Sequence, residues 1–547
     1  MKFLKPFFFF LAMSVASLFA APCAEAADVC VISKESGYYT SIARHMVRWL
    51  AQQSIKADLA SNDSMATALS RSKIAFLVGY SGVSAHEMKL IRGFCSRGGR
   101  IVVFYSSDPG LAQLMGVKCL GYSKASYPGQ WSRMNFYLDT KKGWPKSILQ
   151  SSTVLQRIAP VQGRSRVMAT WSDRYGKTTG EPAWIVGRYG YWMSHVLLSD
   201  GDEKEKARLL AAMVGSIVPS LWDYDKMRKR EASEAASVRA FAASQKKREG
   251  EIHAVWDHTG CGLYPGNWAK TMAVLKSSGV TDIFVNVAGA GFAHYPSKVL
   301  PRSTVYEQEG DQLLACLAAA KKANIRVHAW ILCFSATRSS PSVLNTFAKR
   351  GWRLKTQSGA LSEYLDPSNQ AVRSYLLSAI DEIQIKYPAV SGIHLDFVRW
   401  YEQSTRPKNA CQVISGFVRS ARRRVAKSRM LTAAVLGKYP ACVNSVGQDW
   451  VSWVGADYVD YVVPMDYTEN LDKFEEYLQQ HSMLKNHARK TIVGIGVSAN
   501  ESRLTPRQVI NQIRLARKYN MAGVALFDLD RMLEVDILPY LRLGLWR

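Results

Sequence analysis

The stretch Ser391-Gly392-Ile393-His394-Leu395-Asp396-Phe397-Val398-Arg399-Trp400 decides how the second half of this chain folds. Its apolar residues suit a strand covered on both faces, and it delivers a carboxylate and a guanidinium to the strand's C-terminal end. Strands of that kind belong to parallel sheets covered by helices, and (β/α)8 barrels keep their chemistry at the C-terminal ends of their strands. Side chains alternate along a strand, so His394 and Asp396 share one face, with His394 one layer deeper, while Ile393 and Leu395 share the other.

Working outward, seven further strand-like runs lie at 252–257, 282–287, 326–332, 431–436, 458–465, 491–497 and 523–527. Amphipathic stretches at 268–276, 312–322, 372–385, 413–426 and 506–518 separate them. Counting the run at 392–397, eight β-then-α units predict one (β/α)8 TIM barrel over residues 251–547. The longest connections follow the second and third strands, where loops on the C-terminal face would build a cleft.

Residues 27–222 read as a separate open α/β domain. Strands at 28–32, 73–78 and 100–104 alternate with helices at 39–52 and 85–95, the latter ended by Gly98-Gly99. Later strands at 183–187 and 191–198 precede a closing helix at 203–218. That alternation implies a parallel sheet. Residues 223–250, rich in Lys, Arg, Glu and Ala without a broad apolar face, suit a solvated helical linker. Residues 1–26 carry Lys2 and Lys5, an apolar run from Phe7 to Ala21 and then Ala24-Glu25-Ala26, the pattern of a secretory signal peptide. A periplasmic or secreted mature protein is expected, with no later segment apolar for long enough to cross a bilayer.

Lys and Arg number 71 against 44 Asp and Glu, an excess of 27 positive charges in 547 residues. Such a field favours anionic neighbours, but no nucleic-acid motif accompanies it and the basic residues are spread along the chain. Of nine cysteines, Cys23 falls in the signal. The others lack the C-x-x-C spacing of a zinc site, and several sit in apolar patterns as small hydrophobes. No cofactor or metal is expected.

Asp396 is the first candidate for carboxylate chemistry, with Arg399 beside it to hold charge or bind substrate oxygen. In Val462-Val463-Pro464-Met465-Asp466-Tyr467-Thr468, alternation opposes Asp466 to Met465 and Tyr467. Met465 and Tyr467 are therefore expected to face the cleft, with Asp466 a second-choice catalytic carboxylate. Asp257, closing the first strand in Trp256-Asp257-His258, is either a further acid or base or the cap of the loop starting at Gly260. Trp256, His258, Asn286, Tyr295, Trp330 and His394 complete the substrate-binding candidates, with Tyr264 on a nearby loop. Aromatic faces stack on sugar rings and amides satisfy hydroxyls, so the set suggests a carbohydrate cleft. Asp366 and Asp530 read as helix caps.

Two resemblances follow. The Gly-Gly-ended helix leading into Ile101-Val102-Val103-Phe104 resembles the class I glutamine-amidotransferase-like domains. The turns Gly79-Tyr80-Ser81-Gly82 and Tyr105-Ser106-Ser107-Asp108 lack that group's cysteine nucleophile, which implies a non-catalytic domain. Residues 251–547 resemble the bacterial glycosyl-hydrolase-like family 10 barrels. The resemblance rests on Ala254-Val255-Trp256, Tyr295-Pro296-Ser297-Lys298-Val299-Leu300-Pro301, Gly310-Asp311-Gln312, Leu365-Asp366-Pro367-Ser368-Asn369, the strand containing Asp396, and Val463 to Thr468. Asp396 and Arg399 match the family's Asp-Tyr-x-Arg-Tyr-Pro run, with Phe397 in place of its Tyr and no proline after Trp400. The same strand is similar to the chitinase-type D-x-x-D-x-D-x-E signature, whose acids fall on Ser391, His394, Asp396 and Val398, so only one survives. The resemblance implies an exported glycoside hydrolase acting on a cell-wall or other complex polysaccharide, anionic glycan or peptidoglycan included. The alternative is a non-catalytic glycan-binding or envelope scaffold protein on a degenerate barrel.

Overall fold

The computed structural model describes residues 27–34, 37–127, 129–137, 143–173, 176–199, 202–483 and 487–547; the signal-peptide reading of residues 1–26 lies outside them. The chain divides into two compact units between Lys229 and Arg230.

In the first unit Val29–Ser33 pairs in parallel with Ala57–Ser61 on one side and Ile74–Val78 on the other, followed by Arg100–Phe104 and Gly190–Met193. Val29 and Val31 bury against the helices Gly37–Gln52 and Glu203–Ile217, whereas Cys30 and Ile32 face Ala85–Ser96. The sheet then continues with Thr178–Gly187, Ser165–Ser172, Trp131–Phe136 and Ser147–Ser152, all antiparallel. The expectation of a parallel sheet holds for the strands up to Arg100–Phe104 and for Gly190–Met193, and is corrected for the four antiparallel ones. Among the described residues of 117–193 no helix intervenes, and strands joined by short turns return antiparallel.

The second unit is a closed barrel of eight parallel strands in chain order: Ile252–Asp257, Asp282–Gly289, Arg326–Leu332, Gly392–Asp396, Met430–Leu436, Tyr461–Met465, Ile492–Gly496 and Gly523–Phe527. The last closes on the first with Ile252 opposite Gly523. A Cβ at Gly523 would stand 2.1 Å from the Ile252 carbonyl oxygen, so the seam requires glycine. Ile283, Val285, Ile393 and Leu395 point outward into the core shared with the helices. Trp256, Phe284, Trp330 and Val463 point inward and fill the barrel.

The segment expected as a solvated linker is the helix Tyr224–Ala243. Its later half is not solvated all round: Val238 and Ala242 bury in the barrel core, and Arg507 and Arg514 lie over the Phe241 ring. Two apolar residues four apart make a stripe too narrow to stand out in so charged a helix. All eight cysteines of the described residues are free, six of them buried.

At the opposite end from the strand C-termini, Asp282 lies fully buried with His328 Nε2 and Arg326 Nη2 each 2.8 Å from its oxygens. Burial opposes ionisation, but these two partners outweigh it and hold the carboxyl down to about 2. A depressed carboxylate stabilises the fold above the ordinary value near 4 and loses that contribution as pH falls through about 2. Asp282→Asn is expected to cost about 3–5 kcal/mol at pH 7, with the gap from wild type narrowing between about pH 4 and 2, as measured by denaturant unfolding across that range.

Candidate active site at the barrel mouth

Asp396 ends the fourth barrel strand with its side chain at the mouth and only 5% of its surface exposed. Oδ2 accepts from the Trp330 indole at 3.2 Å, and Oδ1 from the Phe397 amide at 2.6 Å. Burial raises its pKa, while Arg399 and these donors pull the other way. Phe397 adopts a left-handed backbone (φ 51°), a conformation that costs a bulky residue about 1–3 kcal/mol and concentrates at functional sites. Beyond that turn the Arg399 guanidinium lies 4.3 Å from the Phe397 ring centroid and 5.7 Å from that of Tyr401. Its buried Nε has no hydrogen-bond partner among the described residues.

Tyr467 stacks on Phe527 at 5.5 Å. Its hydroxyl is held well above the ordinary tyrosine range by burial and by the charges of Asp396, Asp528 and Glu501. Tyr467 is thus within electrostatic reach of two carboxyl groups that end different barrel strands. Asp528 follows the eighth strand and is half-buried. Its Oδ1 accepts from the His258 and Leu529 amides at 3.2 and 2.6 Å, and Oδ2 has no hydrogen bond to a described residue. Burial and the nearby Asp257 push its carboxyl up to about 8, the amides notwithstanding. A shift in that direction favours the protonated form of Asp528. Sequence reading missed it, although the rule that singled out Asp396 and Asp257, an acid just past a barrel strand, applies to it equally. Two residues on, Asp530 accepts from the Leu533 amide as the helix cap that the sequence suggests. Asp366 does not cap the next helix, whose N-cap is Asn369; it accepts from the Ser368 amide and hydroxyl in the turn before it.

Two other catalytic candidates are corrected. Asp257 is fully buried, and its oxygens accept from the Thr259 hydroxyl and the Gly260 and Gly262 amides, so it caps its own loop. Asp466, also fully buried, turns away from the cleft to bond His481 Nε2 at 3.0 Å. It packs so close to Gly437 that a Cβ there would lie 1.8 Å from Oδ1. Strand alternation placed it correctly on the face opposite Met465 and Tyr467.

Several substrate-binding candidates also lie elsewhere. Trp256 and His394 sit inside the barrel, bonded to each other at 2.9 Å, with His394 stacked on Phe284. Tyr295 is fully buried behind the barrel, donating to Glu382 on the helix Gln370–Lys386. Asn286 is buried in the second strand, where its amide spans Arg338 and the Ala288 carbonyl. His258 is exposed at the mouth, its ring 6.0 Å from those of Trp330 and Phe527. Tyr264 bonds Glu534.

Beside this centre opens a cleft of about 760 Å³, lined by Arg399, Tyr401, Met465, Tyr467, Tyr477 and Glu501 among others. That volume suits a small chain of sugar rings, and three tyrosines offer apolar faces. Among the described residues no cluster of three or more potential metal ligands occurs, and no helix is long and apolar enough to cross a membrane.

Residues 263–413 match the family model described as Glycosyl hydrolase-like 10. The matched segment contains Asp396 and Arg399. No curated protein matches the sequence. Among solved structures, the chain is similar to the Bacillus cereus spore cortex-lytic enzyme SleL at 10% identity and TM-score 0.37, covering 55% of this chain and 74% of that one. A Bacteroides thetaiotaomicron chitinase is similar at 13% identity, 54% and 97% coverage and TM-score 0.37. The β-amylase catalytic domain of Paenibacillus polymyxa aligns at 12% identity, 52% and 93% coverage and TM-score 0.38.

A raised carboxyl pKa favours the fold while the group stays protonated. The unfolded chain gives up this proton near pH 4, so the benefit is complete below that value and is lost as pH rises through about 8. Asp528→Asn, which cannot ionise, is expected to melt progressively higher than wild type as pH is raised from 4 to 9, as followed by thermal denaturation.

Proposed function

We propose that this chain is an exported glycoside hydrolase cleaving a cell-wall or other complex polysaccharide. The observation that carries the reading is the placement of two carboxyl groups, Asp396 ending the fourth barrel strand and Asp528 just past the eighth, beside a cleft lined by Arg399 and Tyr467, with burial raising the Asp528 carboxyl to about 8. The family match over residues 263–413 supports it, and the basic head and apolar run of residues 1–26 support export.

In this mechanism Asp528 gives its proton to the glycosidic oxygen as the carbon–oxygen bond breaks. Asp396, held by Trp330 and the Phe397 amide, is too enclosed for easy covalent attack. It acts through its charge, stabilising the positive charge that develops on the sugar ring. Tyr467 and Tyr401 present faces for stacking, and Arg399 offers N–H groups to substrate oxygens. Water completes the hydrolysis and returns a proton to Asp528.

The burial of Asp257, Asp466 and most of Asp396 favours a second reading, a barrel that binds glycan without cutting it. Release of reducing ends from purified peptidoglycan and a panel of polysaccharides separates the two. Turnover is expected, with an alkaline limb near pH 8 as the donor deprotonates. Asp528→Asn and Asp396→Asn, both folded, should each lower kcat by about 10²–10⁴. Binding with no release on any glycan would establish the second reading.

A further inference from the structure

The cleft beside the carboxyl pair is unevenly charged. Arg399 enters from the turn after the fourth strand, Lys438 from the loop after the fifth, and Lys473 from the first turn of the helix Leu471–Met483. Glu501 is the one acid in the lining. None of the three cations makes an ion pair with a described residue, and the Arg399 Nε is a buried donor without an acceptor. A buried N–H left unpaired costs about 1–3 kcal/mol, so such a group is placed to receive an oxygen.

The arrangement is braced from below. Asp466 contacts Gly437, next to Lys438, and bonds His481 on the helix that carries Lys473 and Tyr477. The fully buried Asp466–His481 link thus connects the loop and the helix that bring the two lysines to the cleft. Tyrosine faces interleaved with cations form a surface for sugar rings that bear negative substituents, since stacking takes the ring and charge-assisted hydrogen bonds take the anion.

We propose that this cleft selects glycans carrying oxyanion substituents, carboxylate or phosphate, which Arg399, Lys438 and Lys473 recognise alongside the ring-stacking tyrosines. The inference rests on reading the cleft as the substrate site but not on turnover. A glycan that binds without being cut would still satisfy it.

Equilibrium binding to the full-length protein, by calorimetry at low salt, tests it with four oligosaccharides of matched length. They are a polyuronate, a carboxyl-bearing peptidoglycan glycan strand, a phosphate-bearing sugar polymer and neutral chitin oligomers. At least one charged ligand is expected to bind about tenfold or more tightly than the neutral one. Its chemistry identifies the anion, and the preference should shrink as salt is raised. In Lys438→Ala/Lys473→Ala the ratio of charged to neutral affinity should collapse towards one. His481→Ala, which touches no ligand, should lower the ratio less, with its circular dichroism retained. Equal or stronger binding of chitin oligomers by wild type would overturn the proposal, as would a ratio unchanged in the double lysine variant. Parallel reducing-end assays keep this separate from the hydrolase reading: charged-glycan binding without release sinks that reading alone, and cleavage indifferent to charge sinks this one alone.

Discussion

The site stands on one hydrogen bond inside the barrel, between the Trp256 indole and His394. Closing eight strands forces their inward side chains into a space that water does not share, where an unpaired polar group is costly. Trp256 is 1% exposed and His394 fully buried. The indole N–H donates to His394 Nε2 at 2.9 Å, which leaves Nδ1 to carry the ring's hydrogen and donate it to the Thr432 hydroxyl at 2.8 Å. Burial keeps this imidazole neutral, its pKa far below the ordinary value. The first, fourth and fifth strands are thereby tied one layer beneath Asp396, and the mouth has a rigid floor.

Above that floor four aspartates lie at or just past strand ends, and the donors around each decide its chemistry. Burial raises all four. Asp257 has three donors across both oxygens and closes a loop. Asp466 has a histidine and braces two cleft elements. Asp396 is held by an indole and an amide, close to a guanidinium, and these partners oppose the rise that burial imposes. Asp528 takes both its amides on one oxygen, and burial together with the nearby Asp257 raises its carboxyl to about 8. Placing two carboxyl groups in environments that differ in this way is how one site obtains both an acid and a base.

Much of the barrel was legible in the residues. The strands Ile252–Asp257, Arg326–Leu332 and Gly523–Phe527, and the helix Pro506–Lys518, begin and end where the pattern of apolar residues placed them, because a strand covered on both faces and a helix covered on one leave distinct periods. The parity argument at Met465, Asp466 and Tyr467 held for the same local reason. In the first unit the parallel strands Val29–Ser33, Ile74–Val78 and Arg100–Phe104 were nearly as clear, whereas Ala57–Ser61, two of whose residues are half-buried and three exposed, was not read. The antiparallel half was not clear, since its alternating, partly exposed strands carry a weaker signal and their partners are set by hairpin connections.

What the sequence alone determined, then, is the barrel, its strand ends and the short set of acids from which a site could be made, all consequences of local periodicity. Only the tertiary structure decided which of those acids are available. A carboxyl group's pKa depends on donors and neighbouring charges brought from other strands, as His481 is brought to Asp466, Trp330 to Asp396 and Asp257 to Asp528. These partners lie far away along the chain, and no local pattern records them.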